Sequence, residues 1–319
     1  MEVRAYLTGQ FAKPEQLIKA YRDRAKGKIS EQTLDEVLRK HVREVVGVQY
    51  ASGLTYVSDG MLNWHDLFRP IVEGVGGLEV NGLARWFDNN FFYKKPIAVG
   101  ELQFRRSITE GYVFNEYVKH GELKVILPDP FTIASMSENQ YYKRFEDMLF
   151  SYAEILAEHV VNVEELGVAQ IQLSAPYMAF TRLSGDEVEM ASEAVREIRK
   201  RTRAELLLHT FYGPASNVIP YALDFPVDVV GVDMTLSKPR EVTDYSITKP
   251  LCLGVLDGRN SMLEDVRALV KLCKRIADDA GLRLLHVAPN CELELLPYEI
   301  ALRKTRLLGE LNKALGEVE

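Results

Sequence analysis

Eight short apolar runs recur along the 319-residue chain, and stretches with helical periodicity separate them. The runs span residues 3–8, 54–58, 123–127, 168–173, 205–209, 228–233, 251–256 and 283–288. Several are almost uninterrupted, as in Leu-Cys-Leu-Gly-Val-Leu at 251–256, which is typical of parallel strands covered on both faces. No linker rich in Pro, Gly or Ser divides them. The alternation therefore predicts an α/β fold, a single (β/α)8 TIM barrel over residues 1–319.

Three S-x-x-E/Q sequences, beginning at Ser137, Ser184 and Ser261, indicate helix starts. In this capping box the serine hydroxyl accepts from the amide three residues later, and the Glu or Gln side chain accepts from the serine amide. All three lie between predicted strands. Each therefore predicts the first turn of a crossover helix.

The connection between the second and third predicted strands, residues 61–121, is too long for one crossover helix. This insertion contains both tryptophans, Trp64 and Trp86. Residues 102–106 and 112–118 are expected to form an extra hairpin within it. Because long ordered excursions usually form lids or interaction surfaces, the insertion is a place to expect contact with a ligand or partner.

The formal net charge of −7 argues against nucleic-acid binding, which needs an excess of Lys and Arg. No apolar run approaches the roughly 20 residues that cross a bilayer. The first residues show no export-signal pattern, and three widely spaced cysteines indicate a reducing compartment. We therefore expect a cytoplasmic protein with no nucleic-acid or membrane partner.

Polar residues collect where the predicted strands end, which is where barrels of this class carry their sites. The group comprises Asp59, Ser174, His209, Asp233, the loop Asp257-Gly258-Arg259-Asn260, and Cys291. His209, Asp233 and Cys291 have the donor atoms of a zinc site with one open position. Each also has a structural interpretation: a hydrogen-bonded His, a loop-capping Asp and a small buried Cys. Because no second thiol lies nearby, we expect no bound zinc.

Two further segments suit a ligand. Arg259 could grip a carboxylate or phosphate through two N–H donors, or could pair with an aspartate of its own loop. Arg85, Trp86 and Asp88 combine a cation, a stacking face and a carboxylate, which suits a flat heterocycle with an anionic tail. Simple packing of the insertion against the barrel explains them equally well. No GxGxxG, Walker or G-x-S-x-G sequence supports a nucleotide or serine-hydrolase site.

The tryptophan segment and the Asp-Gly-Arg-Asn loop belong to a longer series of family-like stretches. The series lies at residues 18–20, 27–31, 85–91, 210–213, 226–228, 232–233, 253–260 and 289–291. In these stretches the chain resembles cobalamin-independent methionine synthase, a protein of two homologous barrels, and in particular its N-terminal barrel. The resemblance runs along nearly the whole chain. It implies a barrel of the methionine synthase/uroporphyrinogen decarboxylase type.

The resemblance also implies what this chain lacks. The family's catalytic barrel holds zinc on a His-x-Cys pair, a Glu and a later Cys. Here Phe211 stands where the paired Cys would follow His209, and Asp233 replaces the Glu. The carboxylates that hold homocysteine after strands two and four are missing, and Arg259 replaces a proton-donating histidine. The resemblance therefore implies the role of the family's other barrel, which helps to hold the methyl-folate.

Arg85 stands where that barrel has a folate-contacting lysine. Lys19 lies beside a segment that loosely resembles the one with which that barrel binds the folate tail. A methyl-pterin of the methyltetrahydrofolate type is therefore the expected ligand, and no catalytic residue is assigned. The predicted substrate-binding residues are Lys19, Asp59, Arg85, Trp86, Asp88, Asp257, Arg259 and Asn260.

Three functions stay open at this point. The first is a non-zinc, methyl-donor-binding counterpart that works with a separate zinc-bearing barrel in methionine biosynthesis. The second is an independent methyltransferase that acts on another thiol or a corrinoid donor through His209, Asp233 and Cys291. The third is a non-catalytic barrel with structural or regulatory duties. The resemblance favours the first.

Overall fold

The computed structural model describes residues 1–317, and over that range it contains ten strands and eleven α-helices. The strands are β1 (Glu2–Ala5), β2 (Val75–Arg85), β3 (Phe92–Phe104), β4 (Lys124–Pro128), β5 (Glu138–Asn139), β6 (Gln170–Ser174), β7 (Glu205–His209), β8 (Val229–Asp233), β9 (Leu251–Leu256) and β10 (Leu284–Pro289). The helices are α1 (Glu15–Ala25), α2 (Glu31–Ala51), α3 (Arg69–Glu73), α4 (Pro130–Ser135), α5 (Phe145–Glu164), α6 (Pro176–Phe180), α7 (Gly185–Arg199), α8 (Ile219–Ala222), α9 (Arg240–Thr243), α10 (Val266–Asp279) and α11 (Tyr298–Gly316). Within the described part of the chain, no helix is both long enough and apolar enough to cross a membrane.

Seven strands form one curled, parallel sheet in the order β1-β10-β9-β8-β7-β6-β4. They correspond to seven of the eight predicted runs, and two of them, β7 and β9, have the predicted bounds. Each parallel connection carries helices across the outer face of the sheet, as parallel pairing requires. The α/β class and the parallel order are therefore confirmed.

Burial on both faces explains why β7 is apolar at its centre. Leu206 and Leu208 join the core beneath the helices, whereas Leu207 joins an inner cluster with Tyr6 and Val229. Both sets of positions are buried, so the central residues of β7 do not alternate between apolar and polar residues. The run itself is the sequence signal for this sheet.

The prediction of a strand at 54–58 is wrong, although the segment lies where that strand belongs. It forms only one parallel bridge, between Val57 and Leu123, while the Thr55 amide donates to the Ala5 carbonyl at 2.8 Å. The side chain of Gln49 hydrogen-bonds both backbone groups of Ser58: it accepts from the Ser58 amide at 3.1 Å and donates to the Ser58 carbonyl at 2.7 Å. Because this amide side chain replaces a neighbouring strand, the pairing ends after one bridge.

The insertion contains a hairpin, but at bounds other than those predicted. The antiparallel strands are β2 and β3, and β5 adds a short parallel pairing to β3. Residues 102–106 overlap only the end of β3, and 112–118 contain a single 3-10 turn, Asn115–Tyr117. Much of β2 is exposed and includes three glycines, so it lacks the apolar pattern on which the strand assignment depends.

One of the three predicted capping boxes is present. Ser184 and Glu187 make both reciprocal hydrogen bonds at the start of α7, which confirms that motif. The other two predictions are wrong. Ser137 follows α4 and donates to the Ile133 carbonyl at 2.6 Å, and α10 is capped by Asp265 rather than Ser261.

A lysine lies inside the curled sheet. Lys124 at the start of β4 is 1% exposed, and its ammonium lies 3.8 Å from the ring centroid of Tyr6 and donates to Gln170. Burial lowers the pKa of Lys124 to about 7. Desolvation of the charge therefore outweighs the favourable charges of Glu205 and the Cys252 thiol.

Lys124→Met is expected to remove part of the pH dependence of stability. The native state releases this proton near pH 7, whereas the unfolded chain keeps it to about pH 10, so the free energy of unfolding rises with pH between those values. Urea unfolding at several pH values across this window would measure the slope. Lys313→Met, at an 80% exposed side chain, is the control and should keep the wild-type slope. An equal slope in Lys124→Met would contradict the assignment.

Candidate functional site

Asn290 joins the carboxyl ends of four neighbouring strands. This fully buried residue follows β10 directly. Its side-chain amide donates to Asp233 at 3.1 Å and to Thr235 at 3.0 Å, and its side-chain oxygen accepts from the Gly258 amide at 2.8 Å. Its backbone carbonyl faces Nε2 of His209 at 2.8 Å. The loops after β7, β8, β9 and β10 are therefore held in one network.

Two of the three candidate metal ligands, His209 and Asp233, take part in this network, whereas the Cys291 thiol does not. Nε2 of His209 is bonded to the Asn290 carbonyl, and burial lowers the pKa of His209 to about 3. Asp233 accepts four hydrogen bonds, from the Tyr212 and Thr235 amides, the Thr235 hydroxyl and the Asn290 side chain. Among residues 1–317, no group of three or more His, Cys, Asp or Glu side chains could hold a metal ion.

Cys291 has the surroundings of a packed apolar side chain. It is 0% exposed, and burial raises the pKa of its thiol. A Cβ placed on Gly258 would lie 2.8 Å from its sulfur, so the β9 loop packs directly on it. Thiolate chemistry needs a lowered pKa and access, and this position offers neither.

Several predicted substrate-binding residues make hydrogen bonds within the chain. Asp59 is buried and accepts from the Met61 amide at 2.9 Å and the Phe114 amide at 3.0 Å, so its carboxylate fastens the insertion. Asp257 and Asn260 each accept from an amide two residues later, which shapes their own loop. Lys19 lies exposed on α1. Exposed Arg85 donates to Asn89 and Asn90 across the hairpin turn.

Trp86, Asp88 and Arg259 do come together, and they do so at the tip of the β2–β3 hairpin, residues 86–91. Trp86 is 2% exposed, and its ring lies against Phe87, Phe68 and Tyr93 at centroid distances of 5.0, 5.4 and 5.6 Å. Asp88 pairs with Arg259 at 3.3 Å. The tip therefore reaches from the insertion to the loop after β9.

Aromatic rings complete this contact. Phe87, in a left-handed backbone conformation with φ of 50°, lies 5.0 Å from the ring of Phe180 and 5.5 Å from that of Tyr212. The guanidinium of Arg259 stands 5.1 Å from the Tyr212 ring centroid. The hairpin tip thus packs over loops that follow β6, β7 and β9, and covers the C-terminal end of the sheet.

Sequence reasoning missed three charged residues beneath this tip. Glu292 and Glu294 follow β10, and Lys13 follows β1. Burial raises the pKa of Glu292 to about 7 and that of Glu294 to about 8, and it lowers the pKa of Lys13. Within residues 1–317, neither Lys13 nor Glu294 has an ion pair or a side-chain hydrogen bond. By solvent exposure Glu292 is buried, whereas Lys13 and Glu294 are half-buried and lie within electrostatic reach of each other.

A local sequence signal for these residues was weak. The run Glu292-Leu293-Glu294 looks like an ordinary polar loop. Its burial depends on the distant loop after β1, where the Leu293 amide donates to the Gln10 carbonyl at 3.1 Å. Gly9 permits this approach, because a Cβ there would lie 2.9 Å from that of Glu292. The position of Glu292 directly after Cys291 was the one available hint.

The family model described as the cobalamin-independent synthase N-terminal domain matches residues 72–281. This span is about two-thirds of the chain and includes the hairpin and five strands of the curled sheet. The chain belongs to the cobalamin-independent methionine synthase family. The match is to the N-terminal domain, as the tryptophan segment and the Asp-Gly-Arg-Asn loop predicted.

Curated relatives match this family member over almost their whole length. The methionine synthase of Saccharolobus solfataricus is 27% identical over 314 residues, which is 97% of this chain and 93% of the relative. That of Sulfolobus acidocaldarius is 26% identical over 303 residues, with 93% and 87% covered. These relatives therefore have about the same length as this chain.

Solved structures agree on the fold. The B12-independent methionine synthase from Shewanella sp. W3-18-1, in complex with selenomethionine, has a TM-score of 0.82 at 17% identity and covers 98% of this chain and 97% of its own. The vitamin-B12 independent methionine synthase described as putative from Listeria monocytogenes has a TM-score of 0.75 at 15% identity, with 100% of both chains covered. At such identities the likeness concerns the fold alone.

Asp88→Asn is expected to loosen the hairpin tip without unfolding the protein. The Asp88 side chain is 60% exposed, so its pair with Arg259 adds little global stability, but it tethers the tip to the β9 loop. Amide hydrogen exchange of Trp86 and Asn89, both bonded within the tip, should become faster. Asp35→Asn, which removes an exposed pair with Arg39 on α2, is the matched control. Unchanged exchange at the tip in Asp88→Asn would show that the pair is no tether.

Proposed function

We propose that this chain is the methyl-donor-binding, non-zinc counterpart of a methionine synthase, and that it works with a separate zinc-bearing barrel. The donor is a methyl-pterin of the methyltetrahydrofolate type. The acceptor thiol and the zinc that activates it belong to the partner. This chain's own residues bind and orient the donor and keep water from it.

One observation carries this proposal: Asn290 occupies the groups that a zinc site after β7 and β8 would need. Nε2 of His209 is hydrogen-bonded to the Asn290 carbonyl, and Asp233 accepts four hydrogen bonds. Phe211 stands next but one after His209, with its ring 5.4 Å from the imidazole. Binding zinc through Nε2 of His209 or through Asp233 would break buried hydrogen bonds and would still lack a fourth ligand. The other ring nitrogen, Nδ1, has no hydrogen-bond partner among the described residues, but it packs against Gly231, where an added Cβ would lie 2.4 Å from it. The same geometry argues against the independent methyltransferase based on these residues.

The region under the hairpin tip supports the other half of the proposal. It offers aromatic faces at Trp86, Phe87 and Tyr212, and the positive charge of Arg259 at its edge. Such a lining suits a flat heterocycle that carries an anionic extension. Half-buried Lys13 and Glu294 add charged groups of both signs to the loops after β1 and β10.

A reconstituted methyl-transfer assay tests the proposal. The same organism's zinc-bearing methionine-synthase barrel would be assayed for homocysteine methylation from a methyl-pterin, with and without this chain. We expect the chain to raise the rate at least about tenfold and to co-purify with its partner. A partner that is equally fast alone would overturn the proposal. So would full activity of this chain without a partner.

Zinc analysis is a separate check. Metal-free protein that is exposed to zinc and then desalted is expected to retain far less than one zinc per chain, because no complete ligand set is available. Elemental analysis measures the content. One zinc per chain, lost in both His209→Ala and Cys291→Ser while the fold persists, would restore the independent methyltransferase as the better explanation.

A further inference from the structure

An asparagine is followed by a glycine at one place in the sequence, Asn81-Gly82 in β2. Both residues are exposed, and Gly82 has a left-handed backbone conformation with φ of 65°. A Cβ built on Gly82 would meet no other atom within 4 Å, so the backbone here borders open space. The pair therefore lies at the solvent-exposed surface of the hairpin.

The ladder between β2 and β3 is interrupted at Asn81-Gly82. The register advances by three residues on β2 but by two on β3, from Val80 opposite Pro96 to Leu83 opposite Lys94. Two residues of β2 therefore share one opposing position, which is a β-bulge. Pro96 has no N–H with which to strengthen the ladder beside the bulge. The backbone of the pair is thus held less firmly than that of the regular pairs that follow.

The side chain of Asn81 is not held in place either. Within residues 1–317 it makes no hydrogen bond, whereas the side chains of Asn260 and Asn312 each bind a backbone group. Asparagine is a thermally labile residue, and the glycine that follows has no side chain to shield its amide nitrogen. The carboxamide carbon of Asn81 and the amide nitrogen of Gly82 can therefore approach each other.

We propose that Asn81 is a self-modification site, which in the folded protein closes to a succinimide with Gly82 and then opens to an aspartyl or isoaspartyl residue. The Gly82 nitrogen attacks Cγ of Asn81, so that an N–Cγ bond forms. The bond from Cγ to the side-chain nitrogen breaks, and ammonia leaves with the proton of the Gly82 amide. Water then opens the ring at either carbonyl. No other reactant is consumed.

Each product changes the hairpin. Both add a negative charge to a chain whose formal net charge is −7. The isoaspartyl form also routes the backbone through the former side chain, which adds one atom to β2 and disturbs its pairing on the way to the tip. Modification therefore loosens the tip, where the amides of Trp86 and Asn89 are hydrogen-bonded. The inference is independent of the proposed function, because it involves no ligand or partner.

Ageing of the full chain, followed by peptide mass spectrometry, tests the site. The folded protein is kept at physiological temperature and mildly alkaline pH, where loss of the amide proton favours the attack. The peptide that contains Asn81 should gain the mass that replaces NH2 by OH, at a rate within about tenfold of that of the same sequence as a free peptide. In the same sample, the peptides that contain Asn260 and Asn312 should change at least about tenfold more slowly.

Two variants at exposed positions serve as controls. Gly82→Ala should slow the modification at least about tenfold, because a side chain hinders the attacking nitrogen. Asn81→Gln should leave this peptide unmodified, since its longer side chain would have to close a larger ring. Unfolding curves establish that both variants are folded. A folded wild type that stays unmodified while the free peptide reacts would overturn the proposal, because the bulge would then hold the pair as a regular strand does.

The effect on the tip has its own readout. Amide hydrogen exchange of Trp86 and Asn89 should be faster in the modified fraction of the aged protein than in the unmodified fraction. Equal exchange in the two fractions would overturn the loosening of the tip.

Discussion

The hydrogen bonds of Asn290 determine what the C-terminal end of the sheet can do. Every polar group of Asn290 makes a hydrogen bond. Its backbone amide donates to the Leu256 carbonyl, and its backbone carbonyl faces His209. Its side chain donates to Asp233 and Thr235 and accepts from the Gly258 amide. A buried hydrogen-bond network resists rearrangement, although Nδ1 of His209 has no hydrogen-bond partner among the described residues. The network fixes the loops after four strands, and it engages Nε2 of His209 and the carboxylate of Asp233. It also sets the path of the chain that carries Glu292 beneath the hairpin tip.

The strands of the curled sheet were predictable because one physical condition produces their sequence pattern. Burial on both faces favours apolar residues at consecutive positions, so β7 and β9 could be assigned to the residue. The wrong assignments occur where side chains make hydrogen bonds that the local sequence does not reveal. Gln49 takes the backbone of Ser58 and ends the pairing at 54–58. Glu264, which the failed capping box required at a helix start, instead accepts from Lys304 and the Asp257 amide.

The candidate site was only partly predictable for a related reason. Trp86, Asp88 and Arg259 could be singled out by residue type, and the structure brings them together. In the structure Asp88 and Arg259 bind each other across the tip, and their role toward a ligand stays a prediction. Glu292 could not be found from local sequence, because its burial results from contacts with a loop more than 280 residues earlier in the chain. Long-range packing thus decides which of many loop carboxylates becomes chemically distinct.

The contacts between the hairpin tip and the loops beneath it determine how easily the tip can be displaced. The tip rests on edge-on aromatic contacts, each contributing about 0.5–1.5 kcal/mol beyond burial, and on an ion pair that is largely exposed. The loops beneath it are joined by the buried network of Asn290, which would have to break as a unit. Displacing the tip therefore costs less than deforming the rim of the sheet. The exposed ring of Phe180 already leaves one of the contacts open to solvent.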